Sequence, residues 1–311
     1  MTRPRRDHPQ DIPGGSHVAT IVVGIEDSLR AEDAVALAGE LARAAGAEVR
    51  AVCAYPFDPR PAAHFNASMR DPLRQAAEET LEALCQPLSD LPVVHRVAIA
   101  DPSPARALLT EAAACGAALI VVGYHGRPRG TAWRLLQGSP YPVALAPPSQ
   151  RLRPHSIRRR VVAAFDGSDG AHAAVFAASV LARVRQEPLR IVTVFDPDVA
   201  APAEIHAPPG FLRITQEAEH EARSRLERVV ATVPSAEPAF LIGDPARELT
   251  RESEVSDLLV VGSRSYGPSP ALLLGGVSGR LIETAACPVL VVPNGVPTPL
   301  SALEPLTIPT A

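Results

Sequence analysis

The chain repeats itself, and no other feature of its 311 residues restricts the fold so strongly. "TIVVGIEDSLRAEDAVALAGELARAAGAEVRAVCAY", residues 20–55, has the same order of features as "RVVAAFDGSDGAHAAVFAASVLARVRQEPLRIVTVF", residues 160–195. Each is an apolar run, an acidic turn, a helical pattern and a second apolar run. "ADPSPARALLTEAAACGAALIVVGYHG" (100–126) matches "GDPARELTRESEVSDLLVVGSRS" (243–265), and "YPVALAP" (141–147) matches "CPVLVVP" (287–293). An offset of about 140 residues is too long for a solenoid repeat and close to the usual size of one domain. Two tandem copies are therefore expected, over 17–148 and 159–294. The Arg- and Pro-rich stretch 148–158 reads as a linker, and the Pro-rich segment 295–311, which has no periodic pattern, as a tail.

Within each copy the short apolar runs are β-branched and do not alternate with polar residues, as expected of strands buried on both faces. In the second copy this predicts strands over 161–165, 189–195, 239–242, 258–261 and 289–292, and helices over 169–186, 211–233, 245–255 and 276–286. Alternation of strand and helix gives an α/β class, two tandem doubly wound parallel-sheet domains of Rossmann-like form. The final runs, 143–147 and 289–293, are expected to lie at sheet edges. Pairing them antiparallel would satisfy both open edges and join the copies as an intrachain pseudo-dimer, with Pro147 and Pro293 ending the ladder.

Composition excludes several chemistries. All 30 basic side chains are arginines, so a P-loop, a pyridoxal Schiff base and a protein-kinase site, each built on a lysine amine, are ruled out. The net charge of −4 argues against nucleic acid as a partner, and the clusters "RPRR" and "RLRPHSIRRR" read as a solvated tail and linker. Cys53, Cys85, Cys115 and Cys287 sit singly in apolar segments with no metal-ligand spacing, as small buried hydrophobes would. No apolar stretch approaches the roughly 20 residues of a membrane span, and the first residues lack the core of a signal peptide. A soluble, cytoplasmic protein is expected. No H-E-x-x-H, G-x-S-x-G or G-x-G-x-x-G occurs. Ser168 reads as a helix N-cap, and His125 and His172 as surface residues, so no catalytic residue and no metal ligand is assigned.

In such sheets ligands bind beyond the carboxyl ends of the strands, where the strand order reverses. Asp166 ends the first strand of the second copy, Val194 and Phe195 end the second, and "GSRSYGPSPALLLGG" follows the fourth. Gly262 permits close backbone approach, and Gly275 and Gly276 precede a helix whose unpaired amides suit an anion. Taken singly these glycines are turn residues; their convergence with Asp166 on one edge adds a phosphate-binding reading.

On "VVAAFDGS", "GDPARELTRESEVSDLLVVGSRSYG" and "LLLGGVSGRLIETAACPVLVVP" the chain resembles the universal stress proteins in their tandem two-domain form, over nearly its whole length. Some members of that family bind ATP through G-x2-G-x9-G-[ST] after the fourth strand. Gly262, Ser265, Gly275 and Gly276 fall on the four marked positions, with Ser265 for the second Gly and Gly276 for the hydroxyl residue. The resemblance implies that Asp166 and the Val194 backbone contact adenine and that Gly262 contacts ribose. Backbone near Ser265, Gly275, Gly276, Val277 and Ser278 would contact the phosphates, with Gly267 taking part of the turn. It implies ATP or ADP, with or without Mg²⁺, in a stress-response regulator that also meets an unidentified protein partner or further copies of itself. A ligand-free interaction module and a slow ATP-hydrolysing enzyme are the alternatives. The first copy departs further: Glu26 stands for Asp166, Asp27 for Gly167, and the spacer after Gly123 and Gly126 is missing. Gly138 and Ser139 end its last helix. The first copy is thus expected to be a scaffold without a nucleotide.

Overall fold

The computed structural model describes residues 18–57, 69–124, 130–153, 160–200, 211–263, 276–294 and 299–303. Its first half contains β1 (Thr20–Ile25), α1 (Leu29–Ala45), β2 (Glu48–Tyr55), α2 (Arg70–Leu84), β3 (Val94–Ala100), α3 (Pro104–Cys115), β4 (Leu119–Gly123), α4 (Thr131–Leu136) and β5 (Val143–Ala146). The second half contains β6 (Val161–Ala164), α5 (Asp169–Arg185), β7 (Leu189–Phe195), α6 (Pro197–Ala200), α7 (Phe211–Ala231), β8 (Ala236–Ile242), α8 (Pro245–Glu254), β9 (Leu258–Gly262), α9 (Gly276–Thr284) and β10 (Val289–Val292).

The ten strands among the described residues form one sheet in the order β3-β2-β1-β4-β5-β10-β9-β6-β7-β8. Each half is parallel and doubly wound, with its order reversing between β1 and β4 or between β6 and β9. The seam is antiparallel, with Val289 opposite Leu145, Leu290 opposite Ala144 and Val291 opposite Val143. The expected pairing of final strands is therefore found, and its consequence is geometric. Because the halves run in opposite senses, the carboxyl ends of their strands lie on opposite edges of the sheet.

Both faces are covered, which explains why the strands read as unbroken apolar runs. Ile21 and Val23 point into one core with α1 and α5, while Val22 between them points into a second core with α3 and α4. The strand β8 starts three residues earlier than its sequence suggests, because Pro238 lies within it. Its place at the outer edge of the sheet spares that proline a buried ladder bond.

The described parts of the linker and of the tail each form a short helical turn. A 3₁₀ turn at Gln150–Leu152 packs on α1, and another at Pro299–Leu303 packs on α5, burying Leu300 and Leu303. In the first, the fully buried Asp33 accepts from the Ser149 amide (3.0 Å), the Arg151 amide (3.1 Å) and Arg151 Nη1 (2.9 Å). A buried carboxylate needs such partners, and here they fasten the connecting segment to the first half. Ser149 adopts φ +66, a left-handed conformation that these bonds hold in place. Across the seam, Arg185 at the end of α5 reaches Glu40 of α1 (2.7 Å) and Glu187 (3.0 Å), its side chain 5% exposed.

Candidate functional site

In the second half the chain leaves β6 through Phe165 and Asp166. Asp166 Oδ1 accepts from the Ser168 amide (3.0 Å), closing a turn at Gly167, whose φ of +85 favours glycine. Ser168 Oγ then accepts from the Ala171 amide (3.2 Å) and caps α5, the role expected of it. The start of α5 is pressed against the end of β9. A Cβ on Gly262 would run into the Gly170 carbonyl, and one on Gly170 into the Ser263 carbonyl. Close approach at Gly262 is thus first a helix–strand contact.

Between these elements lies a cleft of about 190 Å³ lined by Asp166, Ser168, Val194, Leu249, Gly262 and Ser278, among others. It sits at the switch point between β6 and β9, where the topology places a ligand. Val277 also lines it, and the largely buried Ser278 directs its hydroxyl toward the Gly262 carbonyl (3.5 Å). Gly276 opens α9 beside the cleft, exposed. The structure therefore brings Asp166, Val194, Gly262, Val277 and Ser278 together; Ser265, Gly267 and Gly275 lie outside the described residues. Pro245 and Leu249 of α8 also form the wall. Their only signal in the sequence was the amphipathic period of that helix. The helices α8 and α9 are tied by Asp244 Oδ2 to Arg280 Nη1 (3.1 Å), and Thr250 meets Thr284 at 2.7 Å between hydroxyls. The Arg247 amide, and after it Arg280, hold the Asp244 carboxyl below its ordinary value. Apolar walls of Val194 and Leu249 with an exposed carboxylate at the rim fit a flat heteroaromatic ring bearing an amine.

The first half has a cleft at the corresponding place, and it is larger, about 290 Å³. Ala54 stands where the second half has Val194, whereas at Gly24, the counterpart of Ala164, a Cβ would already press on Leu108 and Val122 at 3.1 and 3.2 Å. Glu26 does not fill this space. Its Oε1 accepts from Arg30 Nη2 (2.9 Å) and from Ser28 Oγ (3.0 Å) at the rim. Gly123 repeats the role of Gly262, since a Cβ there would strike the Arg30 carbonyl. The connection from β4 to α4 has seven residues, 124–130, against thirteen, 263–275, from β9 to α9. His125 and Gly126 lie outside the described residues.

Among the described residues no group of three or more His, Cys, Asp or Glu could hold a metal. His172 is exposed, edge-on to the Phe165 ring at 5.0 Å between centroids. Cys53, Cys85 and Cys287 are buried and Cys115 half-buried; all are free thiols. Burial pushes the Cys287 thiol up to about 12 and the Cys53 thiol up to about 11, which keeps both protonated and unreactive at neutral pH. No described helix is long and apolar enough to cross a membrane.

Two doubly wound α/β units joined edge to edge, each with a cleft at its switch point, define the class of the molecule. The sequence model of the universal stress protein family matches it twice, over residues 17–147 and 158–293, and the chain belongs to that family. Over 137 residues it is 30% identical to a universal stress protein of Thermus aquaticus, a match covering 43% of this chain and 98% of the relative. It is 31% identical over 138 residues to one from Mycobacterium tuberculosis strain H37Rv, spanning 42% of this chain and 46% of the relative. The fold is shared with a universal stress protein of Archaeoglobus fulgidus, with a TM-score of 0.64 at 17% identity. That likeness covers 88% of this chain and 97% of the solved one.

Proposed function

We propose that the chain is a cytoplasmic, adenine-nucleotide-binding regulator of the stress response. It consists of domains 17–148 and 159–294, with ATP or ADP held by the second. The single observation that supports this most is the coincidence, at the β6/β9 switch point, of the Asp166 carboxylate, the Val194 wall and the start of α9. With Oδ1 engaged by the Ser168 amide, Asp166 retains Oδ2 to accept from an exocyclic amine. The α9 start supplies unpaired amides for a phosphate, assisted by backbone at Ser265, Gly267, Gly275, Gly276, Val277 and Ser278. A Mg²⁺ ion would arrive with the nucleotide, on its phosphates. In this reading ATP sets a conformational state, and any hydrolysis is slow, well under the ordinary enzyme median of about 10 per second.

The test is direct. The full chain is purified gently and denatured, and released nucleotide is identified by mass spectrometry; ATP is also titrated into nucleotide-free protein. ATP or ADP is expected, with Asp166→Leu weakening ATP at least about tenfold and Glu26→Leu leaving it unchanged. Failure of both preparations to hold ATP would leave a ligand-free interaction module. Turnover near the enzyme median would make it an enzyme.

A further inference from the structure

We propose that one stripe of α5 is an exchangeable docking surface for a short turn carrying two leucines three residues apart. Each molecule fills it with its own Pro299–Leu303, and the same turn of a second copy is the other occupant. The stripe lies outside the two clefts, and the proposal does not rest on the nucleotide reading. The repeat places Ala173, Phe176 and Val180 of α5 at the positions of Asp33, Ala36 and Glu40 of α1. Spacings of three and four put each set on one side of its helix. On α1 the two acids hold the linker turn, Asp33 through Ser149 and Arg151 and Glu40 through Gln150 Nε2 (3.4 Å). On α5 the stripe is apolar, and so is the turn that packs on this helix. Residues three apart in a 3₁₀ turn lie one above the other, so Leu300 and Leu303, 0% and 1% exposed, form its inner edge while Ser301 and Ala302 face water. Leu300, Leu303 and Val180 share one buried cluster with Ala173 packed against it, and Phe176 stays 47% exposed.

The hold on the turn is apolar alone, which makes it releasable. Among the described residues no side-chain hydrogen bond or ion pair ties Pro299–Leu303 to α5. Two buried leucines return about as much free energy as fixing a turn of five residues costs in conformational entropy, so the docked state is only marginally favoured. The chain is anchored upstream at a separate point: the Asn294 amide donates to Ser263 Oγ after β9 (3.1 Å). From Asn294 to Leu300 the chain spans up to about 20 Å when extended, enough for the turn to leave α5 without disturbing β10. Pro299 at the first position of the turn, with Pro297 and Pro305 on either side, restricts the released chain and keeps it ready to dock again. The segment that fits the stripe is carried by every copy. Exchange between two copies replaces each contact by an identical one, the low-cost route to a swapped dimer. Docking within one molecule prevails in dilute solution, because the short connection supplies an effective concentration on the order of 1 mM.

The experiment uses the full chain and a synthetic peptide of residues 297–305, read by calorimetry and by hydrogen exchange in α5. The peptide is expected to bind the Leu300→Asp, Leu303→Asp double variant and to protect α5. It should bind that variant at least about tenfold more tightly than the unaltered chain, whose own turn competes. A peptide carrying the same two aspartates should not bind. Leu303→Ala, a milder change with no new charge, should fall between, and it carries the test if the double variant fails to fold; thermal transitions check both. Near 1 mM the unaltered chain should show a dimer in small-angle scattering that Leu303→Ala weakens. Three outcomes would overturn the proposal. They are no binding of the peptide to either variant at millimolar concentration, equal binding of the aspartate peptide, and a dimer of the unaltered chain that is absent or indifferent to Leu303→Ala. No readout involves a nucleotide, so loss of ATP from the second half would leave this proposal standing.

Discussion

At the end of β1 a glutamate is tied forward to Arg30 on the next helix; at the end of β6 an aspartate closes a turn of its own backbone, and Gly170 stands where the first half has Arg30. The glycines at the ends of β4 and β9, by contrast, do the same thing in both halves: each admits the backbone at the start of α1 or α5 at a distance no side chain would allow. The comparison separates two roles that the sequence motif merges. Gly262 is the first marked position of the nucleotide motif, yet its counterpart Gly123 is kept in the half without the spacer. Glycine at this position is a requirement of helix–strand packing, and what differs between the two clefts is the set of side chains around it, Glu26 and Arg30 or Asp166 and Val194.

The strongest way to break this comparison is to give both glycines a methyl group. Gly123→Ala and Gly262→Ala should each lose about 3 kcal/mol, the upper end for overpacking, because the nearest obstructing atoms are backbone and cannot rotate away. Urea denaturation of the full chain measures this. A Gly262→Ala variant of unchanged stability that lost ATP would show that the glycine serves the ligand and that the equivalence with Gly123 is superficial.

A smaller effect is expected at the seam, where the halves differ because the second supplies Arg185 and the first only its acceptor. Burial by itself would lower the Arg185 pKa, and the Glu40 and Glu187 carboxylates together hold it above its ordinary value. Arg185→Met should cost about 2 kcal/mol, less than a fully buried pair because Glu40 remains partly in water. Burial pushes the Glu187 carboxyl up, against the pull of Arg185. A raised carboxyl favours the folded state most below its unfolded pKa of about 4.3 and loses that contribution as pH rises through the folded value. Removing Arg185 raises the folded value further. The deficit of Arg185→Met should therefore be larger at pH 8 than at pH 5, and denaturation at the two pH values would show it; an equal deficit would place the cost in packing alone.

The elements themselves were legible because their period is strong. Every strand and helix expected in the second half is present, with ends displaced by a few residues. Strand pairing at the seam followed from the edge that a final strand leaves open. What the sequence hid was long-range and small in residue count. Asp33 looks like an ordinary helix-surface acid until Ser149 and Arg151 fold onto it, 116 and 118 residues away. Leu300 and Leu303 sit among prolines with no period to mark them, and only the exposed flank of α5 makes them core residues. Of the candidate site, Asp166, Val194 and Gly262 are legible at strand ends and Val277 and Ser278 only through the family resemblance, whereas Leu249 needs the packing of α8 to appear. The cleft of the first half escaped notice for a related reason. The scaffold reading weighs the missing spacer and the longer acid, whereas the volume also depends on Ala54, whose meaning emerges only beside Val194.

The smallest expected effect is also the most discriminating between the halves. Gly276 occupies the position where the resemblance would put a hydroxyl, and a Cβ there meets nothing within 4 Å, with no left-handed φ to forbid a side chain. Gly276→Ser should therefore fold unchanged, within about 0.5 kcal/mol. Its hydroxyl stands at the first residue of α9, where it can donate to an anion lying over the helix start. One such bond contributes about 0.5–1.5 kcal/mol, so ATP affinity should rise by about two- to tenfold. Adenosine carries no phosphate to receive the bond, and its binding should not change. Gly138→Ser provides the control in the first half: Gly138 is equally unobstructed but follows the end of α4, so no phosphate affinity should appear there. Calorimetry with ATP and adenosine on the two variants checks all four expectations. If Gly276→Ser left ATP binding untouched, the proposed placement of the phosphates at α9 would fall, and with it the contrast between the two halves at the phosphate end.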